Sequence, residues 1–201
     1  MTAQAGDTFS IPVRKHELRQ ALRRLRRSIA PAQRLRCGRR AAAHLLRWRG
    51  TMRARRIAVY LSVHSELPTA ALMQGLQRLR RSPWVPVTFG GGGMRFAPLR
   101  PHTKLRRGAL GLPRPARARP LLPARALDLI VLPLLGFDPC GRRLGNGGGY
   151  YDRALAGSRP GRRPLLIGYA YAAQETPEVP AEPWDIRLDA VVTERGLRKF
   201  R

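Results

Sequence analysis

Residues 127–155, LDLIVLPLLGFDPCGRRLGNGGGYYDRAL, decide how this chain folds. Leu129, Ile130, Val131 and Leu132 run without polar alternation, as expected of a strand covered on both faces of an α/β sheet. Arg142 and Arg143 follow, then Gly145, Asn146, Gly147, Gly148 and Gly149. Glycine takes positive φ without penalty, so such a loop can aim several backbone N–H groups at one point. Tyr150, Tyr151, Asp152, Arg153, Ala154 and Leu155 read as a first helical turn, whose free N–H groups favour an anion. Two arginines, a glycine nest and a helix start describe a polyphosphate site. The competing reading is a flexible surface loop beside an ordinary βα turn, which gives no reason for two tyrosines and an aspartate directly after it. No GK[ST] follows the glycines and no G-x-G-x-x-G sits at a first strand, so neither familiar phosphate motif applies.

Outward from this segment, strand and helix signals alternate. Pro12 at a helix start, with Leu18, Leu22, Leu25 and Ile29, predicts an apolar-striped helix over 12–29. Pro31 opens a second helix carrying Leu35, Ala42, Leu45 and Leu46, with Gly50 as its C-terminal cap. Residues 56–61 read as the first strand, and Pro68 and Thr69 open a helix with Leu72, Met73, Leu76 and Leu79 inward. Residues 84–89 form a second strand broken by Pro86, and the glycines at 90–93 turn it towards Met94, Arg95 and Phe96. Residues 100–126, rich in arginine and proline, read as an extended surface connection, and 165–171 and 188–193 as the last strands. The expectation is a single α/β domain over 1–201: a three-layer α/β/α sandwich around a mostly parallel, Rossmann-like sheet with N-terminal helices. Residues 1–11 and 196–201 are expected to be loose termini. In such folds ligands bind at the carboxyl ends of the strands, which is where Glu66, the glycine loop and Asp152 fall.

Composition is ordinary in its 43% hydrophobic and 25% charged residues, but the net charge of +27 is not. Only Lys15, Lys104 and Lys199 are lysines, leaving 36 arginines among 39 basic residues. Such a field attracts nucleotides or nucleic acid, although a chain-wide arginine preference accounts for it equally. Between Leu18 and Leu127 the only carboxylate is Glu66, so it is either an ion-pair partner or a residue kept for a purpose. Cys37 and Cys140 stand alone, in no metal or disulfide spacing. No run approaches a membrane span and the N-terminus lacks an apolar signal core, so a cytoplasmic protein without membrane partners is expected.

The eleven residues 143–153, RLGNGGGYYDR, preceded by a hydrophobic strand ending in Gly136, Phe137 and Asp138, resemble the signature of the 5-formyltetrahydrofolate cyclo-ligase family, the methenyltetrahydrofolate synthetases. The resemblance extends over residues 15–195. It implies a ligase that phosphorylates the formyl oxygen of 5-formyltetrahydrofolate with ATP and Mg²⁺, after which N10 closes the ring to 5,10-methenyltetrahydrofolate. It further implies that Lys15 and Arg19, in a K-x-x-x-R pattern, contact nucleotide phosphates together with Arg143, Leu144, Gly145, Asn146, Gly147, Gly148, Gly149, Tyr150 and Tyr151. Arg143 and Tyr151 carry the catalytic roles. Leu61 and Glu66 belong to the folate pocket, shared with Asn146, Gly147, Gly148, Gly149 and Tyr150. A carboxylate suits a pterin, whose ring N–H and amino donors form a fork it can accept in two bonds. Asp152 is expected to ligate Mg²⁺, with Asp189 as second ligand by analogy and Asp185 as the competing candidate. The implied partners are 5-formyltetrahydrofolate, with or without a polyglutamate tail, and ATP, acting on a monomer.

Three positions depart from the family pattern. Asn146 stands where some relatives have a basic residue, Gly148 where some have lysine, and Arg114 where many bacterial relatives carry glutamate in a G-I-x-E-P segment. Two other classes compete. A nucleic-acid-binding protein would need clustered arginines interleaved with aromatics, against an aromatic content of 6%. A sugar-phosphate isomerase or CoA-transferase-like enzyme on the same architecture would bind an anion at the glycine loop without ATP or Mg²⁺.

Overall fold

The computed structural model describes residues 10–108, 111–156 and 163–200. Its frame is a seven-stranded sheet in the order β11-β10-β9-β6-β1-β2-β3. The strands are β1 (Ile57–Val59), β2 (Trp84–Thr88), β3 (Met94–Pro98), β6 (Leu129–Leu132), β9 (Leu165–Tyr169), β10 (Ala190–Thr193) and β11 (Gly196–Lys199). The five inner strands are parallel, and β3 and β11 close the two edges in antiparallel pairing. β6 lies at the centre, with Leu129 opposite Ile57 on one side and Leu165 on the other. All four of its side chains are buried, as its unbroken apolar run requires. Fully burying each such side chain contributes about 1.5–3 kcal/mol, so this strand anchors the core.

The two faces are covered unequally. Helices α2 (Pro31–Arg47) and α4 (Ala70–Arg78) lay Ala41, Ala42, Leu45, Leu72 and Leu76 on one face. On the other, the six-residue helix α5 (Tyr150–Leu155) and connecting segments supply Ala124, Leu127, Leu155 and Leu188. The third layer is therefore thinner than the two-sided sandwich expected from the sequence. Helix α1 (Ile11–Ser28) belongs to neither face. Its Leu18 and Leu22 pack on Leu135, Leu144 and Val179, all in the segments that follow the carboxyl ends of the parallel strands at 129–132 and 165–169. It crosses the edge of the sheet where ligands bind in such folds.

Several sequence expectations change. Residues 196–199, read as part of a loose terminus, form edge strand β11, paired with β10 from Ala190–Lys199 to Thr193–Gly196. Ile11, likewise placed in a loose end, already starts α1. Gly50 does not cap α2; the helix ends at Arg47, and Gly50 lies inside the short α3 (Arg49–Arg53), its Cα beneath the Trp48 ring. Pro86 does not break β2: it sits opposite Phe96 of β3, beyond the single pairing that β2 makes with β1 at Trp84. The connection at 100–126 carries a small hairpin, β4 (Leu105–Arg107) with β5 (Pro113–Pro115), and is tied to β3 through Phe96 and Leu122. Finally, the glycine-rich segment begins as a second hairpin, β7 (Gly136–Phe137) with β8 (Arg143–Leu144). Two-residue strands leave no periodicity to read.

Candidate active site

The signature loop is held from beneath by two buried polar side chains. Gln174 donates to the carbonyls of Leu134 and Leu135, both at 2.9 Å, just after β6. Asp138 accepts from the backbone N–H of Cys140 and Arg142, both at 2.9 Å, and of Val179 at 3.1 Å. A carboxylate taking several N–H groups is a strong, charge-assisted hub, so the turn between β7 and β8 has little freedom. Arg143 and Leu144 of β8 are thereby fixed. Leu144 faces the core under α1, so only its backbone can reach a ligand. Arg143 is 8% exposed and donates to Asp152 Oδ1 at 2.8 Å.

The glycine loop proper needs its glycines at two points. Gly147 has φ 104° and Gly149 φ 62°, conformations that residues with a Cβ rarely adopt. Arg153 closes the loop from the outside. Its guanidinium donates to the Gly148 carbonyl at 2.6 Å and the Gly92 carbonyl at 3.3 Å, and lies 5.2 Å over the Tyr150 ring. The β2–β3 hairpin and the glycine loop are thus pinned together.

Helix α1 supplies cations to three loops from one face. Lys15 Nζ donates to Asp185 Oδ2 at 2.5 Å, Arg19 Nε to the Gly145 carbonyl at 3.0 Å, and Arg23 to the Asn146 carbonyl at 3.2 Å. Arg26 Nε donates to Ser65 Oγ at 3.1 Å. Spacings of four, four and three residues place all four on one side of a helix. Burial and the neighbouring Arg23 hold the Arg19 guanidinium below its usual range, so an anion between them would relieve both. A cleft of about 300 Å³ opens beside this row, lined by Arg142, Arg143, Glu182, Asp185, Ile186 and Arg187.

Glu66 stands at the other end of the cation row, next to the Ser65 that Arg26 holds. It follows β1 in a loop fixed by Thr69, whose hydroxyl donates to the Tyr60 carbonyl at 3.0 Å, and by the Tyr171 hydroxyl donating to the Glu66 carbonyl at 3.3 Å. Glu66 is 8% exposed, and its carboxylate accepts from Val63 N–H at 3.1 Å. Burial pushes its pKa up, against the pull of the Val63 N–H, Arg26 and Asn146. Leu61, at the start of this loop, is half-buried against the main core. Tyr151 lies close enough to Glu66 and Arg143 to feel both charges, and burial pushes its hydroxyl well above the usual range, so it remains a proton donor at neutral pH.

The structure therefore brings together Lys15, Arg19, Arg143, Asp152, the loop 145–149, Tyr150, Tyr151 and Glu66. It does not bring Asp189 to them. Asp189 precedes β10 at the opposite, amino edge of the sheet, where Arg163 grips it in two bonds of 2.6 and 2.9 Å and Leu166 N–H donates at 2.7 Å. Its carboxylate is committed to tying β9 to β10. Asp185 is the one that reaches the cleft, and Ile186 N–H next to it donates to Asp152 at 3.3 Å. Sequence reasoning missed Arg23, Arg26 and Ser65. The arginines carry a helical spacing, but it is hidden among so many others; Ser65 carries no signal. Among the described residues no cluster of three or more His, Cys, Asp or Glu side chains forms a metal centre, and no helix is long and apolar enough to cross a membrane.

A sequence model of the 5-formyltetrahydrofolate cyclo-ligase family matches residues 12–194. The Escherichia coli K12 5-formyltetrahydrofolate cyclo-ligase is 35% identical over 175 residues, covering 86% of this chain and 96% of that protein. The Haemophilus influenzae enzyme of the same name is 30% identical over 178 residues, covering 87% and 95%. The NMR structure of Aquifex aeolicus 5,10-methenyltetrahydrofolate synthetase superposes with a TM-score of 0.80 at 27% identity, over 93% of each chain. With the signature loop, the cation row of α1 and the buried glutamate meeting at one edge of the sheet, the chain belongs to the 5-formyltetrahydrofolate cyclo-ligase family.

Proposed function

We propose that this chain converts 5-formyltetrahydrofolate to 5,10-methenyltetrahydrofolate at the expense of ATP, in the cleft between α1, the glycine loop and the loop carrying Glu66. The observation that carries the site assignment is that two neighbouring cations of α1 hold the two loops, Arg23 donating to the Asn146 carbonyl in the glycine loop and Arg26 to Ser65 Oγ beside the buried Glu66. One helix thus seats the glycine loop next to the loop that carries the group suited to a pterin. In this reading Lys15, Arg19 and Arg143 take the triphosphate, with the N–H groups of the loop 145–149. Glu66 accepts the pterin's donor fork, and Leu61 and Tyr150 flank the ring.

The reaction asks for alignment more than for covalent help. The formyl oxygen attacks the γ-phosphorus, an O–P bond forms, and the bond to ADP breaks. The N10 lone pair then attacks the activated carbon, the C–O bond breaks, phosphate leaves with the former formyl oxygen, and N10 loses its proton. Holding a weak amide-type nucleophile in line with the γ-phosphate, and neutralising charge as ADP departs, is work for fixed cations and N–H groups. Arg143 and the Tyr151 hydroxyl are placed for that.

Asp152 and Asp185 are the carboxylates that fit Mg²⁺ here, since a hard cation needs few protein oxygens when phosphates supply the rest. Bound there, it would neutralise phosphate charge. Without nucleotide each aspartate is paired, Asp152 with Arg143 and Asp185 with Lys15. These are the cations the phosphates would draw away, which frees both carboxylates. One chain carries every group named, so a monomer acting in the cytoplasm suffices.

The test is absorbance at the methenyl product's band with purified protein, 5-formyltetrahydrofolate, ATP and Mg²⁺, each omitted in turn. Product is expected only with all present. Turnover that persists without ATP would overturn the reading.

A further inference from the structure

We propose that Arg26, buried in the last turn of α1, is a positioning residue for the folate pocket, fixing the loop that carries Glu66 and holding its carboxylate ionised. Nothing in the phosphate chemistry calls for Arg26. It is 7% exposed and donates to Ser65 Oγ beside Glu66, and among the described residues no carboxylate lies within ion-pairing distance of it. A buried guanidinium without a direct ionic partner is costly, so its retention needs a reason. Glu66 is the nearby negative charge it senses most strongly. The remaining groups around Glu66 cannot substitute. His64 in the same loop is the other basic group acting on it, and more weakly than Arg26. The hydroxyls of Tyr60, Tyr151 and Tyr171 are neutral at working pH, each pushed above its usual range by burial. Arg26 is thus the main cation opposing the burial that would protonate Glu66. Ser65 fixes it at one remove, so Arg26 itself takes up none of the carboxylate's hydrogen-bonding positions.

The inference rests on Glu66 being the pterin acceptor, and its test separates the two. Only six glutamates occur in the chain, so ¹³C labelling at glutamate Cδ lets Glu66 be followed in the ligand-free protein, assigned by its loss in Glu66→Gln. In Arg26→Gln its titration midpoint should move up by about one pH unit or more, because an opposing charge has been removed. Arg26→Lys should move it back towards wild type. In turnover assays the acid limb of kcat/KM for 5-formyltetrahydrofolate should shift with it. The folate KM should rise by about tenfold or more at neutral pH, while KM for ATP stays within about twofold. Ser65→Ala, which leaves the charge in place, should give a smaller shift of the same sign, and it decides the matter if Arg26→Gln does not fold. An unmoved Glu66 titration in Arg26→Gln, or in Ser65→Ala where that variant must decide, overturns the proposal; so do equal effects of Gln and Lys at position 26. A titration that moves in a protein unable to turn over 5-formyltetrahydrofolate would uphold Arg26's hold on Glu66 and defeat the folate reading instead.

Discussion

Asp152, Glu66 and Asp189 are three carboxylates with three different employments, and environment sets each. Asp152 meets a buried arginine at the cleft, where Asp152→Asn keeps the shape and removes the charge. We expect kcat to fall on the order of 100-fold with circular dichroism unchanged, as when one fixed charge-stabilising group is lost. Wild-type turnover in that variant would end the metal assignment. Glu66 is buried, and burial raises its pKa, so it stays protonated to a higher pH than a free glutamate does. A protonated acid accepts fewer hydrogen bonds from the pterin, so kcat/KM for the folate should drop as pH falls, with a midpoint above that of a free glutamate. Glu66→Gln should flatten that limb; a limb that survives the substitution assigns it to another group. The sequence marked Glu66 by its isolation among arginines. It could not mark Asp185 over Asp189, since both lie a few residues from the same strand and only their hydrogen-bond partners separate them.

Helix α1 does more than its amphipathic pattern announces. Its apolar side seats on the signature and β9 loops through Leu18 and Leu22, while Lys15, Arg19, Arg23 and Arg26 each hold a different point of the site. Leu22→Ala should destabilise the fold by about 2–5 kcal/mol in denaturant titration, the range for deleting a buried leucine side chain. Because α1 positions both ends of the cleft, its loosening should raise KM for ATP and folate together. Lys15→Ala should raise that for ATP alone. The glycine loop is the second decisive element. At φ 104° an alanine at Gly147 is strained whatever the space, so Gly147→Ala should weaken nucleotide binding by calorimetry with little change in folate binding. Equal affinity for ATP would mean that the turn can re-form elsewhere. The glycines announced this turn in the sequence, whereas the hairpin β7–β8 beneath it was invisible because its strands are too short to show a period.

Viewed whole, the molecule separates chemistry from stabilisation by opposite edges of one sheet. The carboxyl edge carries the cleft; the amino edge carries ties such as Asp189 with Arg163 and Leu166. Asp189→Asn should therefore cost about 1 kcal/mol, or roughly 2–4 °C in melting temperature for a chain of this size, and leave turnover unchanged below the transition. A large loss of Mg²⁺-dependent turnover instead would return Asp189 to the metal. The excess positive charge is spread along the chain, and within the described residues its best-organised part is the cation row of α1. A bound nucleotide would profit from that field.

The amino-acid sequence by itself determined the sheet, through an unbroken apolar strand and alternating helix signals, and it determined the turn of the glycine loop, through glycines where only glycine fits. Both are local properties, written in consecutive residues. The tertiary structure alone decided which carboxylate joins the cleft, that α1 crosses the sheet edge instead of covering a face, and that Arg26 stands behind Glu66. Those depend on contacts between residues tens of positions apart, and no periodicity or spacing records which of many arginines the fold will bury.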